Sequence, residues 1–177
     1  GIDNDSTEGV DQKSFRSLVA KLGWIQQTLT RPDLKHPSIL CASRSDRATE
    51  NDRKMLNKLV REAKLTKALS VNIPKLSGDL FFVSFNDASF LTKQGLPSFA
   101  GNVTFLAEKK PVRVVPTGKF HRATLVDYAS KQIATTPKSS MSAECSADAD
   151  GFVLTTFMRT ILREIGLLDF DEPVLLC

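Results

Sequence analysis

The chain is poor in the residues that build cross-linked or metal-dependent small folds. Its 177 residues include three cysteines, two histidines, one tryptophan and one tyrosine. The cysteines are far apart and form no Cys-x-x-Cys pair, so the sequence supports neither a disulfide framework nor a zinc site. We therefore expect reduced thiols at Cys41, Cys145 and Cys177. Neither histidine has a second ligand at metal-binding spacing, which favours a structural or surface role for both.

Long apolar runs are also missing. No segment approaches the ~18–20 consecutive apolar residues that a membrane-spanning helix requires. The first residues, Gly1 to Asp5, are acidic where a secretory signal would be basic and then apolar. There is no glycine-rich phosphate loop either. These absences predict a soluble intracellular protein, in the cytoplasm or nucleus, with no membrane partner.

Charge is distributed unevenly along the chain. Residues 11–78 hold 14 Lys and Arg against 6 Asp and Glu, whereas residues 139–177 hold 2 against 7. A basic front could form a phosphate-binding face, with its cations concentrated on one helix at Arg53, Lys54, Lys58, Arg61 and Lys64. The alternative is that these side chains are simply the solvated faces of helices.

The hydrophobic period divides the chain into a short leader, residues 1–10, a helical unit, residues 11–78, and a mixed unit, residues 79–177. Apolar residues recur every three or four positions from Asp11 to about Thr30. A shorter helix is expected over Pro37–Arg44. Thr49 and Asp52 resemble a capping box that opens a third helix.

From about residue 69 the period shortens to two, which predicts strands separated by turns. The strand candidates are Leu69–Ile73, Leu80–Phe85, Asn102–Leu106, Val112–Val115 and Ala123–Tyr128, with a turn over 93–97. A long helix is expected from about Ser140 to Ile165, and a last strand over 173–177. We expect the stripe of Leu154, Met158, Ile161 and Ile165 to pack against Leu80 and Phe82, with Gly151 allowing close approach.

Two carboxylates stand where a divalent ion could be shared. Asp87 is expected at or just after the end of a central strand, and Glu144 in the first turn of the long helix. Mg²⁺ takes oxygen ligands, usually only one or two carboxylates from the protein. Asp148, four residues after Glu144, could supplement the site or be a solvated helix residue. The alternative for the pair is structural, with Asp87 closing a turn and Glu144 favoured by the helix dipole.

Several motifs resemble, in collinear order, a copia-type retrotransposon reverse transcriptase. Residues 13–24 and 30–34 are similar to the thumb-proximal segments of that family, and residues 48–59 to the helix that follows them. Residues 84–90 resemble the opening of the attached RNase H domain, residues 126–132 a following strand, and residues 139–144 its catalytic helix start. The matching segments read KSFRSLVAKLGW, TRPDL, ATENDRKMLNKL, SFNDASF, VDYASKQ and SSMSAE.

The resemblance implies an α+β fold, in which a helical thumb-like or connection unit leads into an RNase H-like mixed sheet flanked by helices. It also implies cleavage of the RNA strand of an RNA–DNA hybrid with Mg²⁺ or Mn²⁺, and it places Asp87 and Glu144 on catalytic, metal-binding positions. The family carries its next catalytic aspartate just after a strand like the last one here, and this sequence stops at Cys177. The domain is therefore expected to be incomplete and to hold a metal weakly.

Three functions follow from these observations. The first is a retroelement-derived domain that binds nucleic acid or a protein partner and is weak or inactive as a nuclease. The second is an active ribonuclease H completed by residues outside this sequence. The third is a domesticated interaction module or effector that keeps only the scaffold.

Overall fold

The computed structural model describes residues 7, 9–27, 31–78, 80–90, 98–108, 122–134, 137–166 and 175–176. The chain divides into two compact units, Gly1–Val71 and Asn72–Cys177. The first is helical, and the second is a sheet followed by a long helix. The expected α+β class, with helices first, then a sheet, then a helix, is confirmed. The second unit begins at Asn72, seven residues before the expected position 79.

The first unit contains three helices around an apolar core. They are α1 (Gln12–Gln27), α2 (Lys35–Ala42), which follows a 3-10 turn over Pro32–Leu34, and α3 (Glu50–Leu65). Their buried apolar side chains form one cluster, which consists of Val10, Phe15, Val19, Leu22, Leu34, Cys41, Ala48, Leu56 and Leu59. The core therefore joins apolar stripes from all three helices.

Polar side chains fix the two ends of α3. At its start the expected capping box is confirmed: Thr49 Oγ1 accepts from the Asp52 backbone N–H, and an Asp52 carboxylate oxygen accepts from the Thr49 N–H. At its end the buried Arg31 side chain donates to the Ala63 carbonyl and to Thr66 Oγ1. Arg31 also donates twice to Asp33, at 2.9 and 2.7 Å. Residues 31–33 thus tie the start of α2 to the end of α3.

The second unit is built on a four-stranded sheet in the order β3-β2-β1-β4. Strands β1 (Leu80–Ser89), β2 (Phe99–Glu108) and β3 (Ala123–Gln132) pair antiparallel, with a bulge in the β2–β3 ladder between Thr104 and Phe105. Strand β4 (Leu175–Leu176) pairs parallel with β1, at Val83 and Ser84. Helix α4 (Ser140–Glu164) lies between β3 and β4 in the chain and packs on β1 and β2.

Helix α4 contacts the sheet through small side chains. Its buried residues are Ala143, Ala147, Gly151 and Thr155, spaced four apart. The expected stripe was wrong: Leu154, Met158 and Ile161 are only partly buried and Ile165 is exposed. The small residues form the contact because they let the helix axis approach the strands closely. The expected role of Gly151 is confirmed, since a Cβ there would lie 2.1 Å from Asn86 Oδ1.

The remaining predictions concern one strand, the two ends of α4 and three segments outside the described residues. Leu69–Ile73 is not a strand; Leu69 and Ile73 are exposed, and a β-rich composition forms no strand without a neighbouring ladder. The expected start of α4 holds, because Ser139 accepts from the Ser142 N–H. Gly166, just past its end, has the positive φ of +70° that favours glycine. The candidate strand Val112–Val115, the turn over 93–97 and residues 28–30 lie outside the described residues.

Candidate functional site

Glu144 contacts the backbone next to Asp87, at one edge of strand β1. Asp87 lies on β1 two residues before the strand ends, opposite Gly101 of β2. Glu144 is the fifth residue of α4, one position beyond the first turn where the sequence placed it. Its carboxylate accepts the Ala88 backbone N–H at 3.1 Å. A side chain of α4 is thus held against the backbone of the residue that follows Asp87.

Covalent geometry limits the separation of the two carboxylates. The Ala88 nitrogen is bonded to the Asp87 carbonyl carbon, and standard bond lengths put the two carboxyl groups no more than about 9 Å apart. That is within the ~12 Å beyond which a shared ion would be impossible. Because side chains alternate along a strand, Asp87 projects to the face opposite Asn86, and Asn86 is the residue that meets α4. A shared ion would therefore sit at the strand edge, rather than between the sheet and α4.

The other acidic residues near this edge do not complete a metal site. Asp148 is exposed one turn beyond Glu144 on α4. Asp150 is paired with Lys131 of β3 at 2.7 Å. Within the described ranges no group of three His, Cys, Asp or Glu side chains is placed to hold a metal ion. Among the described residues near β1, the possible metal ligands are therefore the carboxylates of Asp87 and Glu144. Asp148 follows four residues after Glu144.

A polar layer between α4 and the sheet was not found from sequence. Asn102 Nδ2 donates to Ser84 Oγ and to Asn86 Oδ1, both at 3.2 Å, and Ser84 Oγ lies 3.3 Å from Thr104 Oγ1. Ser84, Asn102 and Thr104 are buried. Their positions alternate with apolar residues on β1 and β2, which is the signal that could have shown a polar face. The sequence pattern instead predicts apolar partners for α4 on these strands.

The basic face of α3 is partly neutralised by its own helix. Arg53 forms a two-point ion pair with Glu50, at 2.6 and 2.5 Å, and Lys58 lies 3.9 Å from Glu62. Lys54, Arg61 and Lys64 are exposed. The five predicted nucleic-acid-binding residues therefore lie on one helix, but Arg53, Lys54 and Lys58 already interact with a carboxylate of that helix.

Trp24 is a surface residue that the sequence reading did not single out. It lies on α1 with 71% of its surface exposed, one turn after the exposed Lys21. Its position off the apolar stripe of α1 was the available signal. An exposed indole next to an ammonium group can stack on a base while the charge meets a phosphate.

The buried cysteine Cys41 is not suited to nucleophilic chemistry. Burial raises the pKa of the Cys41 thiol to about 11, with the nearby Asp52 carboxylate acting in the same direction. A thiol with that pKa is protonated at neutral pH and is a poor nucleophile. Cys145 is a free, exposed thiol beside Glu144.

Comparison with known proteins gives no independent indication of function. No protein-family model, no curated protein and no solved structure matches this chain. In the described part of the chain, every helix is too short or too polar to cross a bilayer. The observations that bear on function are therefore the arrangement at the edge of β1 and the surfaces of the helical unit.

Proposed function

We propose that the chain is of retroelement origin and has an RNase H-like domain at residues 79–177, and that it binds nucleic acid or a protein partner and is a weak or inactive nuclease in this form. The observation that carries the proposal is the contact of Glu144 with the backbone beside Asp87. The family resemblance assigns the catalytic carboxylates to these two residues. The two residues are 57 positions apart in the sequence, and the packing of α4 on β1 brings Glu144 to the backbone beside Asp87.

The sheet supplies a second line of support. A long helix follows three antiparallel strands, and the next strand pairs parallel with β1, giving the mixed sheet that the resemblance implies. Leu176 is level with Ser84 in this register. A second residue beyond Leu176 in the same direction would be level with Asn86, next to Asp87. An aspartate supplied there is what the resemblance expects as the third ligand.

The carboxylates present suit one divalent ion better than two. Asp87 and Glu144 bring two negative charges, and two Mg²⁺ or Mn²⁺ ions bring four positive ones. Glu144 also already accepts one backbone hydrogen bond. When bound at such a site, a divalent ion activates water and neutralises phosphate charge. We therefore expect weak binding of a single ion by Asp87 and Glu144, with Asp148 the nearest additional carboxylate.

A cleavage assay tests this proposal. The 177-residue chain should cut a labelled RNA–DNA hybrid little or not at all with Mg²⁺, and a chain extended by an aspartate after Cys177 should gain activity. In the extended chain Asp87→Asn and Glu144→Gln should each remove that gain. Robust Mg²⁺-dependent cleavage by the 177-residue chain, lost on Asp87→Asn, would contradict the proposal. It would favour the alternative of an active ribonuclease H, with Asp148 as the missing ligand.

Nucleic-acid binding is assigned to the helical unit. Its exposed cations Lys58, Arg61 and Lys64 and the indole of Trp24 are the groups expected to contact phosphates and bases. Changing the three cations to Ala should weaken binding to unrelated sequences equally and reduce the salt slope by roughly one for each lost phosphate contact.

A matched variant controls for the loss of total charge. It replaces three exposed cations of the second unit, Lys75, Lys138 and Arg163, with Ala. Binding should change less in this variant than in the α3 variant. Equal losses in both would mean that no defined face binds nucleic acid. No binding at all by the unaltered chain would favour the third function, a scaffold that recognises a protein partner.

A further inference from the structure

Helix α4 leaves a groove over strands β2 and β3. The groove has a cavity volume of about 370 Å³. Its apolar lining comes from small residues of the sheet and one side of α4, namely Ala100, Ala129, Ala147, Val153, Leu154 and Phe157. Val153 and Phe157 are 67% and 59% exposed, so this side of the helix is open to solvent. The volume falls within the ~300–1,000 Å³ typical of small-molecule sites.

Charge differs between the two ends of this α4–β3 groove. At one end Lys131 and Asp150 form an ion pair at 2.7 Å and neutralise each other. Asp127 lines the groove four residues before Lys131, on the same face of β3 and roughly 13 Å away along the strand. Asp127 is partly buried and has no ion pair with any described residue. Among the residues that the structure describes, the groove therefore carries one carboxylate without a counter-ion, at its Asp127 end.

The position of Asp127 is set by the strand irregularity. The β2–β3 register shifts between Thr104, opposite Asp127, and Phe105, opposite Leu125. The extra residue Val126 interrupts the ladder immediately before Asp127. Bulges of this kind redirect neighbouring side chains and recur beside binding sites. Asp127 is thus a carboxylate at a bulge, at the end of an apolar groove.

We propose that the α4–β3 groove binds a small organic cation, with an aromatic or aliphatic body and a protonated amine at one end. The body would lie against Phe157, Val153 and the alanine floor, and the ammonium group would meet Asp127. This site uses neither Asp87 nor Glu144 and goes beyond the proposed function. A probe of nine heavy atoms is expected to bind with a Kd on the order of 1 mM, from typical ligand efficiencies.

Three probes that share one phenylethyl body separate charge from burial. Phenethylammonium, 2-phenylethanol and 3-phenylpropionate are titrated into the 177-residue chain and followed by NMR shifts. We expect the cation to bind about five- to tenfold more tightly than the alcohol, and the carboxylate more weakly still, because a partly buried charge pair is only partly screened. Asp127→Asn should reduce the cation-to-alcohol ratio to about one.

Two further variants complete the test. Ala129→Leu, at an exposed floor position, should weaken all three probes by filling the groove, while Glu164→Gln, an exposed carboxylate at the end of α4, should change none. Equal affinities for the three probes would overturn the proposal, as would a cation preference that survives Asp127→Asn. So would the absence of saturable binding up to about 20 mM, roughly twenty times the expected Kd. The comparison among probes on the unaltered chain remains decisive even if Asp127→Asn folds poorly.

Discussion

The two units are stabilised by different kinds of interior. The helical unit has a single apolar cluster in which Phe15, Leu22, Leu56 and Leu59 are almost completely buried. The interface between α4 and the sheet instead contains mainly alanines, with Ile133, Gly151 and a buried polar layer. Apolar burial stabilises in proportion to area, at roughly 25 cal/mol per Å². The second interface buries small side chains and depends more on close fit than on area.

Close fit makes the second interior less tolerant of change. Asn86 Oδ1 accepts from Ser84 Oγ and Asn102 Nδ2, so it cannot move away freely from Gly151. Asn86 Nδ2 and Asn102 Oδ1 are buried without a hydrogen-bond partner in the described part of the chain. A partly satisfied polar layer contributes less stability than an apolar one of the same volume. The comparison therefore predicts large losses from cavities in the first unit and from added atoms in the second.

The largest expected effect is a cavity in the helical core. Leu56 is 1% exposed, and Leu56→Ala should lower the free energy of unfolding of the first unit by about 3 kcal/mol. Hydrogen exchange resolved by segment measures the loss in α1, α2 and α3 separately from the second unit. Leu65→Ala, at an exposed position on the same helix, is the control and should cost little. Equal effects of the two changes would contradict the assigned core.

The next effect comes from one added methyl group. Gly151→Ala places a Cβ 2.1 Å from Asn86 Oδ1 and should cost the second unit about 2 kcal/mol, by displacing that side chain. Hydrogen exchange resolved by segment over β1, β2 and α4 measures this loss separately from the first unit. Adding Asn86→Ala should recover part of the loss. A double variant less stable than the sum of the two single changes would show that the steric contact is not the cause.

Sequence patterns predicted the elements better than the contacts between them. The capping box at Thr49, the hydroxyl cap at Ser139 and the closing Gly166 each depend on a few neighbouring residues, so they could be identified locally. The face of α4 that packs on the sheet could not be identified in this way. Large apolar residues marked one stripe, but the strands offered polar side chains and little space. The contact with the sheet is therefore formed by small residues, namely Ala143, Ala147, Gly151 and Thr155.

The candidate site shows the same limit. Residue type and order suggested that Asp87 and Glu144 belong together, and their proximity is set by the β1–α4 packing. Which face of β1 carries Asp87 depends on strand alternation and register, which a sequence does not fix without knowing the partner strands. Leu69–Ile73 shows why a strand prediction fails without partner strands. Its composition suits a strand, but it lies at the boundary of the two units in the chain and pairs with no strand among the described residues.

A smaller effect concerns acid stability of the helical unit. Burial opposes ionisation of Asp52, but hydrogen bonds from Thr49 and Arg44 outweigh it and lower its pKa below 3.8. A carboxylate with a lowered pKa in the folded state stabilises the fold above its unfolded pKa, and this stability is lost as the pH falls through the folded value. Asp52→Asn should therefore cost about 1 kcal/mol at neutral pH, by weakening the cap and the Arg44 ion pair.

Urea unfolding at several pH values measures this dependence. The difference between the unaltered chain and Asp52→Asn should be constant at neutral pH and shrink below about pH 4, near the ordinary pKa of 3.8. Asp46→Asn, an exposed carboxylate before α3, is the matched control. A difference between Asp52→Asn and the unaltered chain that is the same at pH 3 and pH 7 would mean that the cap acts without its charge.

The smallest expected effect separates stability from binding on the basic face. Lys58 and Glu62 are both more than half exposed and 3.9 Å apart, one turn along α3. Exposed pairs at this spacing contribute about 0.3 kcal/mol, so Lys58→Ala should leave the unfolding midpoint almost unchanged. The apolar core, not the charged face, holds the first unit together. A loss of nucleic-acid affinity in Lys58→Ala would then report a lost contact with the nucleic acid. A loss of unfolding free energy above about 1 kcal/mol would show instead that the charged face helps to hold the helices together.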